Sequence, residues 1–305
     1  LPFIQRDYGL PETTVAWALV VYFLGTSAFI LAAAYLGNAL GRKKLVIIGI
    51  SIDLISQISL FFTGPFLGIV VLRAFGGIGN SMIVANLSPI TVASFGPDKR
   101  GKALGLMAIG LGFGIVITPV IAGATAETLG WRYLFLFSGI LYAILLAGVL
   151  LMVRESTDLS SEKVTIRRFD YPGLILVTTF LVSLTFGMQR LGTGDSPALG
   201  LTLVGISILM LIAFVRVQLR SKFPLIMPTL FRQKSFSVAI IRQLAFTMMR
   251  ASYTFLLPFY LIQGLGWSGA FSGSVLIALN AGQFFIGPLS GYLSDKIGTG
   301  ILIGG

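Results

Sequence analysis

"YLGNALGRKK", residues 35–44, stands between two long apolar runs and decides how the rest of the chain is read. Two glycines, Gly37 and Gly41, lead into three consecutive basic residues, Arg42, Lys43 and Lys44. On both sides, apolar runs of about 20 residues recur, the length that crosses a hydrocarbon core of about 30 Å. Over 305 residues, 55% are hydrophobic and only 11% are charged, with a mean hydropathy of +0.93. A soluble domain is about one quarter charged. The composition is that of an all-α, polytopic membrane protein.

Hydropathy places nine complete spans near 14–37, 45–63, 66–95, 103–126, 132–153, 171–189, 198–217, 236–263 and 268–293. "LPFIQ" reads as the tail of an earlier span and "ILIGG" as the start of a later one, so both ends read as cut. Alternate loops hold the positive charge: Arg42, Lys43 and Lys44; Lys99, Arg100 and Lys102; Arg154, Lys163, Arg167 and Arg168; Arg220, Lys222, Arg232 and Lys234; then Lys296. The intervening loops hold only Arg132 and Arg190, or nothing. With positive charge inside, the first group is cytoplasmic and the residues before position 14 lie outside.

The net charge of +11 therefore marks topology rather than nucleic-acid binding. The chain has no cysteine and no histidine, which removes disulfides, the commonest metal ligand and the commonest general base. No pair of acids falls within a span, so neither an enzyme's machinery nor a cofactor or metal site is expected. No cleavable signal peptide opens the chain. The polar stretch "RESTDLSSEKVTIRRFD" at 154–170 reads as a cytoplasmic linker. "LRSKFPLIMPTLFRQKSF" at 219–236 reads as an amphipathic surface segment or a plain loop.

The opening stretch has an echo. "YLGNALG" at 35–41 aligns with "YLSDKIG" at 292–298, each directly after a span and on the same side, as an internally duplicated transporter would have it. The pattern resembles the signature loop of the major facilitator superfamily. The second copy carries Gly291, Leu293, Asp295, Lys296 and Gly298; the first keeps Leu36, Gly41, Arg42 and Lys43 but has Ala34 and Asn38 where the pattern has Gly and Asp. "LRAFGGIG" at 72–79 resembles the family's fourth-span motif. "GLMAIGLGFGIVITPVIAG" at 105–123 resembles its antiporter motif, on Gly105, Gly114, Pro119 and Gly123, with Thr118 and Ala122 in place of glycines. "GWRYLFLFSG" at 130–139 resembles the start of the sixth span in the fourteen-span drug:proton antiporters.

Asn38 and Asp295 enclose eight of these complete spans, where a twelve-span member would have six, so the resemblance is to the fourteen-span group. It implies the major facilitator fold: pseudo-repeated helical halves with two extra central spans, seen here from about the second span to the tenth. Residues 1–153 would be the N-terminal bundle, 154–218 the linker and extra spans, and 219–305 the start of the C-terminal bundle. The implied function is proton-driven export of small amphipathic compounds or drugs by alternating access. The alternative is movement of an organic anion or other metabolite in either direction. The implied partners are a small-molecule substrate, protons and lipid, for a monomer in a bacterial or archaeal plasma membrane.

Several side chains bear on that function. Arg73 lies well inside the 66–95 span, where a charge costs about 2.5–3.5 kcal/mol on insertion scales and must face protein or a wet cavity. It reads either as an electrostatic element of proton coupling or as a tether to backbone carbonyls, with Gly76, Gly77 and Asn80 on or near its face. Asp53 is the acid deep in a span, with Gln57 one turn on, and reads either as a titratable carboxylate or as a hydrogen-bonded structural one. Gly110, Gly114, Thr118 and Ala122 make a small-residue face suited to close helix packing, and Pro119 is expected to bend that helix. Arg250 with Met248, Met249 and Tyr253, and Asn280 with Gln283, are candidates for a substrate cavity. In the resembled family the signature loop's Asp and Arg latch the halves in the outward-facing state. Asn38 brings no charge to that latch, so the first copy is expected to be weaker than the copy holding Asp295.

Overall fold

The computed structural model describes residues 2–95, 99–153, 169–194 and 196–265, together with 267, 275 and 278. The described chain is helical, in the order α1 (Pro2–Tyr8), α2 (Glu12–Val15), α3 (Trp17–Leu40), α4 (Arg42–Phe62), α5 (Phe66–Phe95), α6 (Arg100–Thr128), α7 (Arg132–Met152), α8 (Tyr171–Thr193), α9 (Pro197–Arg220) and α10 (Lys234–Phe259). A helix stands at each of the first eight expected spans; the ninth, at 268–293, lies almost wholly outside the described residues. Among the described residues, six helices are long and apolar enough to cross a membrane: α3 with the residues leading into it, α4, α5, α7, α8 and α9. In α6 the described apolar part is shorter, Gly101–Gly114. In α10, Lys234, Arg242 and Arg250 lower the hydropathy.

The stretch at 35–44 is tighter than a loop. "YLGNAL" completes α3, "RKK" opens α4, and Gly41 alone makes the corner at φ 103°, ψ 128°, a conformation that a side chain would strain. Three basic residues at a helix N-terminus oppose the helix dipole. Two of them have oxygen partners near the corner. Arg42 donates from Nε and Nη2 to Asn38 Oδ1 at 3.1 and 2.8 Å, and Lys43 Nζ donates to the Leu150 carbonyl at 3.3 Å, near the C-terminal end of α7. The segment after α9, read from sequence as an amphipathic surface segment or a plain loop, carries a short 3₁₀ turn at Pro228–Arg232.

Contacts divide the chain into two compact units, residues 1–90 with 125–226, and residues 91–124 with 227–305. In the first, α8 and α9 form a hairpin, α4 packs along α7, and α3 touches α4 and α8. The hairpin is fixed at its cytoplasmic end. Asp170 caps α8 by accepting from Gly173 N–H at 2.9 Å, and also accepts from Gln218 Nε2 of α9 at 2.5 Å. Gln218 Oε1 in turn accepts from the Ile226 amide at 3.1 Å, holding the chain that leaves α9.

Burial runs opposite to a soluble protein. Many large apolar side chains point outward, among them Phe62 at 75% and Leu67 at 71% exposed, where acyl chains replace water. Small residues face inward: Ala18, Ala28, Ala32, Ala33 and Gly37 on α3, and Gly76, Gly77 and Gly79 on α5. With no hydrophobic gain available between helices in lipid, close backbone approach supplies the contact. A Cβ at Gly77 would run into the Tyr22 carbonyl oxygen, one at Gly79 would lie 2.7 Å from the Gly49 carbonyl oxygen, and one at Gly37 would occupy the place of the Asn86 amide. Gly77→Ala is therefore expected to destabilise the unit by about 1–3 kcal/mol, read as a lower thermal unfolding midpoint in detergent. Gly148→Ala, with nothing within 4 Å of its Cβ, is expected to leave the midpoint near wild type.

Candidate functional site

The α3–α5 seam is where polar groups enter the membrane interior. Thr26 Oγ1 donates to the carbonyls of Tyr22 and Gly77, both at 3.0 Å, and accepts from Asn80 Nδ2 at 3.2 Å. One and a half turns further along α5, Asn86 Nδ2 reaches the Ala33 carbonyl at 3.3 Å and the Met82 carbonyl at 2.9 Å. Towards the outer end, Arg73 Nε donates to the Ala18 carbonyl at 3.0 Å. Its guanidinium carbon lies 4.7 Å from the Tyr22 ring centroid and 5.8 Å from that of Phe135 on α7. Arg73 is thus partly buried, tied to an α3 carbonyl and resting on aromatic faces, which lowers the cost of its charge. The tether reading of Arg73 has a direct observation behind it, and this does not remove the electrostatic one.

Asp53 sits on α4 opposite Gly76 of α5, where a Cβ would lie 3.0 Å from both Asp53 Oδ1 and Ser56 Oγ. Ser56 Oγ donates to the Leu72 carbonyl at 2.6 Å, fixing α4 against α5 at this level. Asp53 has 0% exposure. The Tyr142 hydroxyl of α7 approaches the carboxyl, yet neither Asp53 oxygen receives a hydrogen bond of good geometry, and Gln57 Oε1 one turn on is likewise unsatisfied. Arg73 and Tyr22 complete the charged and titratable groups within electrostatic range, but no ion pair joins Asp53 to Arg73. Sequence spacing alone placed Arg73 and Asp53 on separate spans; the packing of α4 between α5 and α7 brings them into one cluster.

The other candidates fall elsewhere. Gly41, Asn38, Arg42 and Lys43 form the corner described above. Gly105 is buried; nothing lies within 4 Å of a Cβ built on Gly110 or Gly114, and Thr118 is exposed. The helical run continues through Pro119 and Gly123, whose side-chain surroundings lie outside the described residues. Arg250 is partly buried on α10, with Met248 and Met249 exposed at 63% and 60%. Asn280, Gln283, Gly291, Asp295, Lys296 and Gly298 lie outside the described residues.

The outer face holds two features that the sequence did not disclose. Trp131 Nε1 donates to Asp7 Oδ2 at 2.6 Å and Arg132 Nη1 pairs with the same oxygen at 3.6 Å. Arg132 Nη2 also donates to Tyr8 Oη at 3.3 Å, and that hydroxyl donates to the Gly64 carbonyl at 2.5 Å. This clasp ties α1 to α7 and to the α4–α5 turn; its partners are too far apart in the chain for any local pattern to show it. A cleft of about 210 Å³ opens between the outer ends of α3 and α8, walled by Trp17 and Phe186 at 4.3 Å between ring centroids, with Gln189 and Arg190 on its rim.

The chain is 27% identical over 301 residues to the riboflavin transporter RibZ of Clostridioides difficile, covering 98% of this chain and 63% of that protein. It is 27% identical over 312 residues to the multidrug resistance protein Stp of Mycobacterium tuberculosis, covering 99% of this chain and 56% of Stp. With the quinolone resistance protein NorB of Staphylococcus aureus it shares 28% identity over 316 residues, 100% of this chain and 67% of NorB. The chain thus spans between about half and two thirds of the length of these relatives, and it is read as a multi-pass protein of a bacterial membrane. The family model described as Major Facilitator Superfamily matches residues 1–305, and the chain belongs to that family.

Proposed function

We propose that this protein is a proton-coupled secondary transporter that exports small amphipathic compounds by alternating access. The observation that carries the reading is Arg73, a charge placed inside α5 at a contact between helices rather than at a membrane surface. A charge at that depth is costly and marks ion or proton pathways in membrane proteins. The names of Stp and NorB, which speak of multidrug and quinolone resistance, support export. Residues 1–153 serve as the N-terminal bundle, 154–218 as the linker with two extra spans, and 219–305 as the beginning of the C-terminal bundle. The transporter works as a monomer on small molecules and protons, and the residues carry out no covalent chemistry on the substrate.

A second reading, movement of an organic anion or other metabolite, is favoured by Arg250 on α10 and by the riboflavin transporter among the relatives. Transport in vesicles under an imposed proton gradient, with cationic and anionic substrates compared, separates the two.

Arg73→Ala is expected to leave the protein in the membrane while gradient-driven efflux falls by at least about tenfold, the effect of about 1.4 kcal/mol; unimpaired efflux overturns the role given to Arg73. At the cytoplasmic corner, Asn38→Asp is expected to turn the contacts with Arg42 into an ion pair and strengthen the latch. The expected result is slower labelling of cysteines introduced into the cytoplasmic cavity; unchanged labelling speaks against a latch at this corner.

A further inference from the structure

The cleft at the outer ends of α3 and α8 is used by neither transport reading, and its chemistry is selective. Two helix faces of one compact unit wall it. Phe186, Gln189, Arg190 and Thr193 recur at three- and four-residue spacing along the end of α8, and so share a face. Thr13 and Thr14 of α2 and Trp17 at the start of α3 supply the opposite wall. Both walls are held from behind. Val15 and Ala18, neighbours of the second group in the chain, are buried in the outer core. On α8, Gly187 packs so closely on α9 that a Cβ there would lie 2.9 Å from the Val204 side chain.

The hydrogen-bonding groups in the cleft are mostly neutral. Among the described residues, the Gln189 amide and the Thr13 and Thr14 hydroxyls have no hydrogen-bond partner within the protein. A carboxamide and a hydroxyl each give and accept hydrogen bonds. Phosphates and carboxylates only accept, and are matched by arrays of charged or backbone N–H donors. Arg190 is the one cation among the described lining residues, and it is already engaged. A ligand made of hydroxyl groups fits this set, because each of its groups also gives and accepts. The Trp17–Phe186 pair, with ring centroids 4.3 Å apart, adds an apolar wall suited to the C–H face of a sugar ring. Size agrees with this. Pockets for drug-sized molecules run about 300–1,000 Å³, whereas about 210 Å³ takes one ring with its hydroxyls.

We propose that this cleft binds a neutral glycosyl group, carried to the outer membrane surface on a glycolipid or arriving as a free sugar. Gln189, Thr13 and Thr14 exchange hydrogen bonds with its hydroxyls, and the aromatic pair bounds its C–H face. The site goes beyond both transport readings and depends on neither.

The full-length protein in nanodiscs of phosphatidylglycerol with a minor share of glucosyl-diacylglycerol tests the lipid-borne form. Native mass spectrometry is expected to show the glycolipid retained above its share. Gln189→Leu, which keeps the volume and removes the amide, is expected to lower that retention about tenfold. Thr14→Val, which exchanges a hydroxyl for a methyl, is expected to lower it in the same direction. Both variants are expected to keep the wild-type unfolding midpoint, since neither group loses a partner within the protein. Thr202→Val, on α9 and outside the cleft, is expected to change nothing. Radiolabelled methyl glucoside, added to nanodiscs of phosphatidylglycerol alone, tests the free sugar. Retention of the glycolipid without methyl glucoside binding assigns a lipid headgroup, and methyl glucoside binding that Gln189→Leu weakens assigns the sugar whatever carries it. Preference for phosphatidylglycerol, binding of neither probe, or binding that ignores both variants overturns the site. No gradient or efflux enters these measurements, so their failure leaves the transport readings standing, and failure of those readings leaves the site standing.

Discussion

Glycine against carbonyl oxygen is the contact on which the first helical unit depends. In hydrocarbon, apolar side chains gain nothing by leaving lipid for each other, so helices associate where their backbones can come close. Gly77 lies against the Tyr22 carbonyl, Gly79 against Gly49, and Gly25 against the Ala74 carbonyl. Those approaches bring α3, α4 and α5 near enough for short side chains to cross between them. Thr26, Asn80, Asn86 and Ser56 each reach a backbone carbonyl or one another at that separation. The polar seam is thus a consequence of the glycines, and the Arg73–Asp53 cluster is a consequence of the seam.

Two opposing demands meet at the corner between α3 and α4. Membrane orientation calls for basic residues on the cytoplasmic side, whereas a helix N-terminus disfavours them. Orientation wins, and the corner answers the dipole locally, through Asn38 for Arg42 and the end of α7 for Lys43. Asn38 is placed to accept because it stands in the last turn of α3, and the corner at Gly41 turns Arg42, the first residue of α4, back towards its side-chain oxygen. The residue that departs from the family pattern therefore has a structural role of its own. It holds the guanidinium through a neutral oxygen, in a contact weaker than an ion pair.

On the outer side the chain is held differently. Tyr8, Trp131, Phe66 and Phe135 pack around Ile4, Leu60 and Ile69, and the Asp7–Trp131–Arg132 clasp closes over them. Arg132, one of two basic residues in the loops that the charge pattern placed outside, is matched by an acid at close range.

Span positions and family membership follow from residue type and order alone, because bilayer thickness acts on local sequence. Asp53 and Arg73 were each conspicuous for the same reason, as charges at depths where charge is expensive. That they share one cluster, that Arg73 rests on α3, and that Asp53 meets Tyr142 without a hydrogen bond of good geometry were decided by how α4 packs between α5 and α7. The same holds for Asp7 with Trp131 and for Asp170 with Gln218, partners separated by many residues and joined only by helix packing. Hydropathy fixes how deep a residue sits; which helix it faces depends on rotation and close approach, and those belong to the tertiary structure.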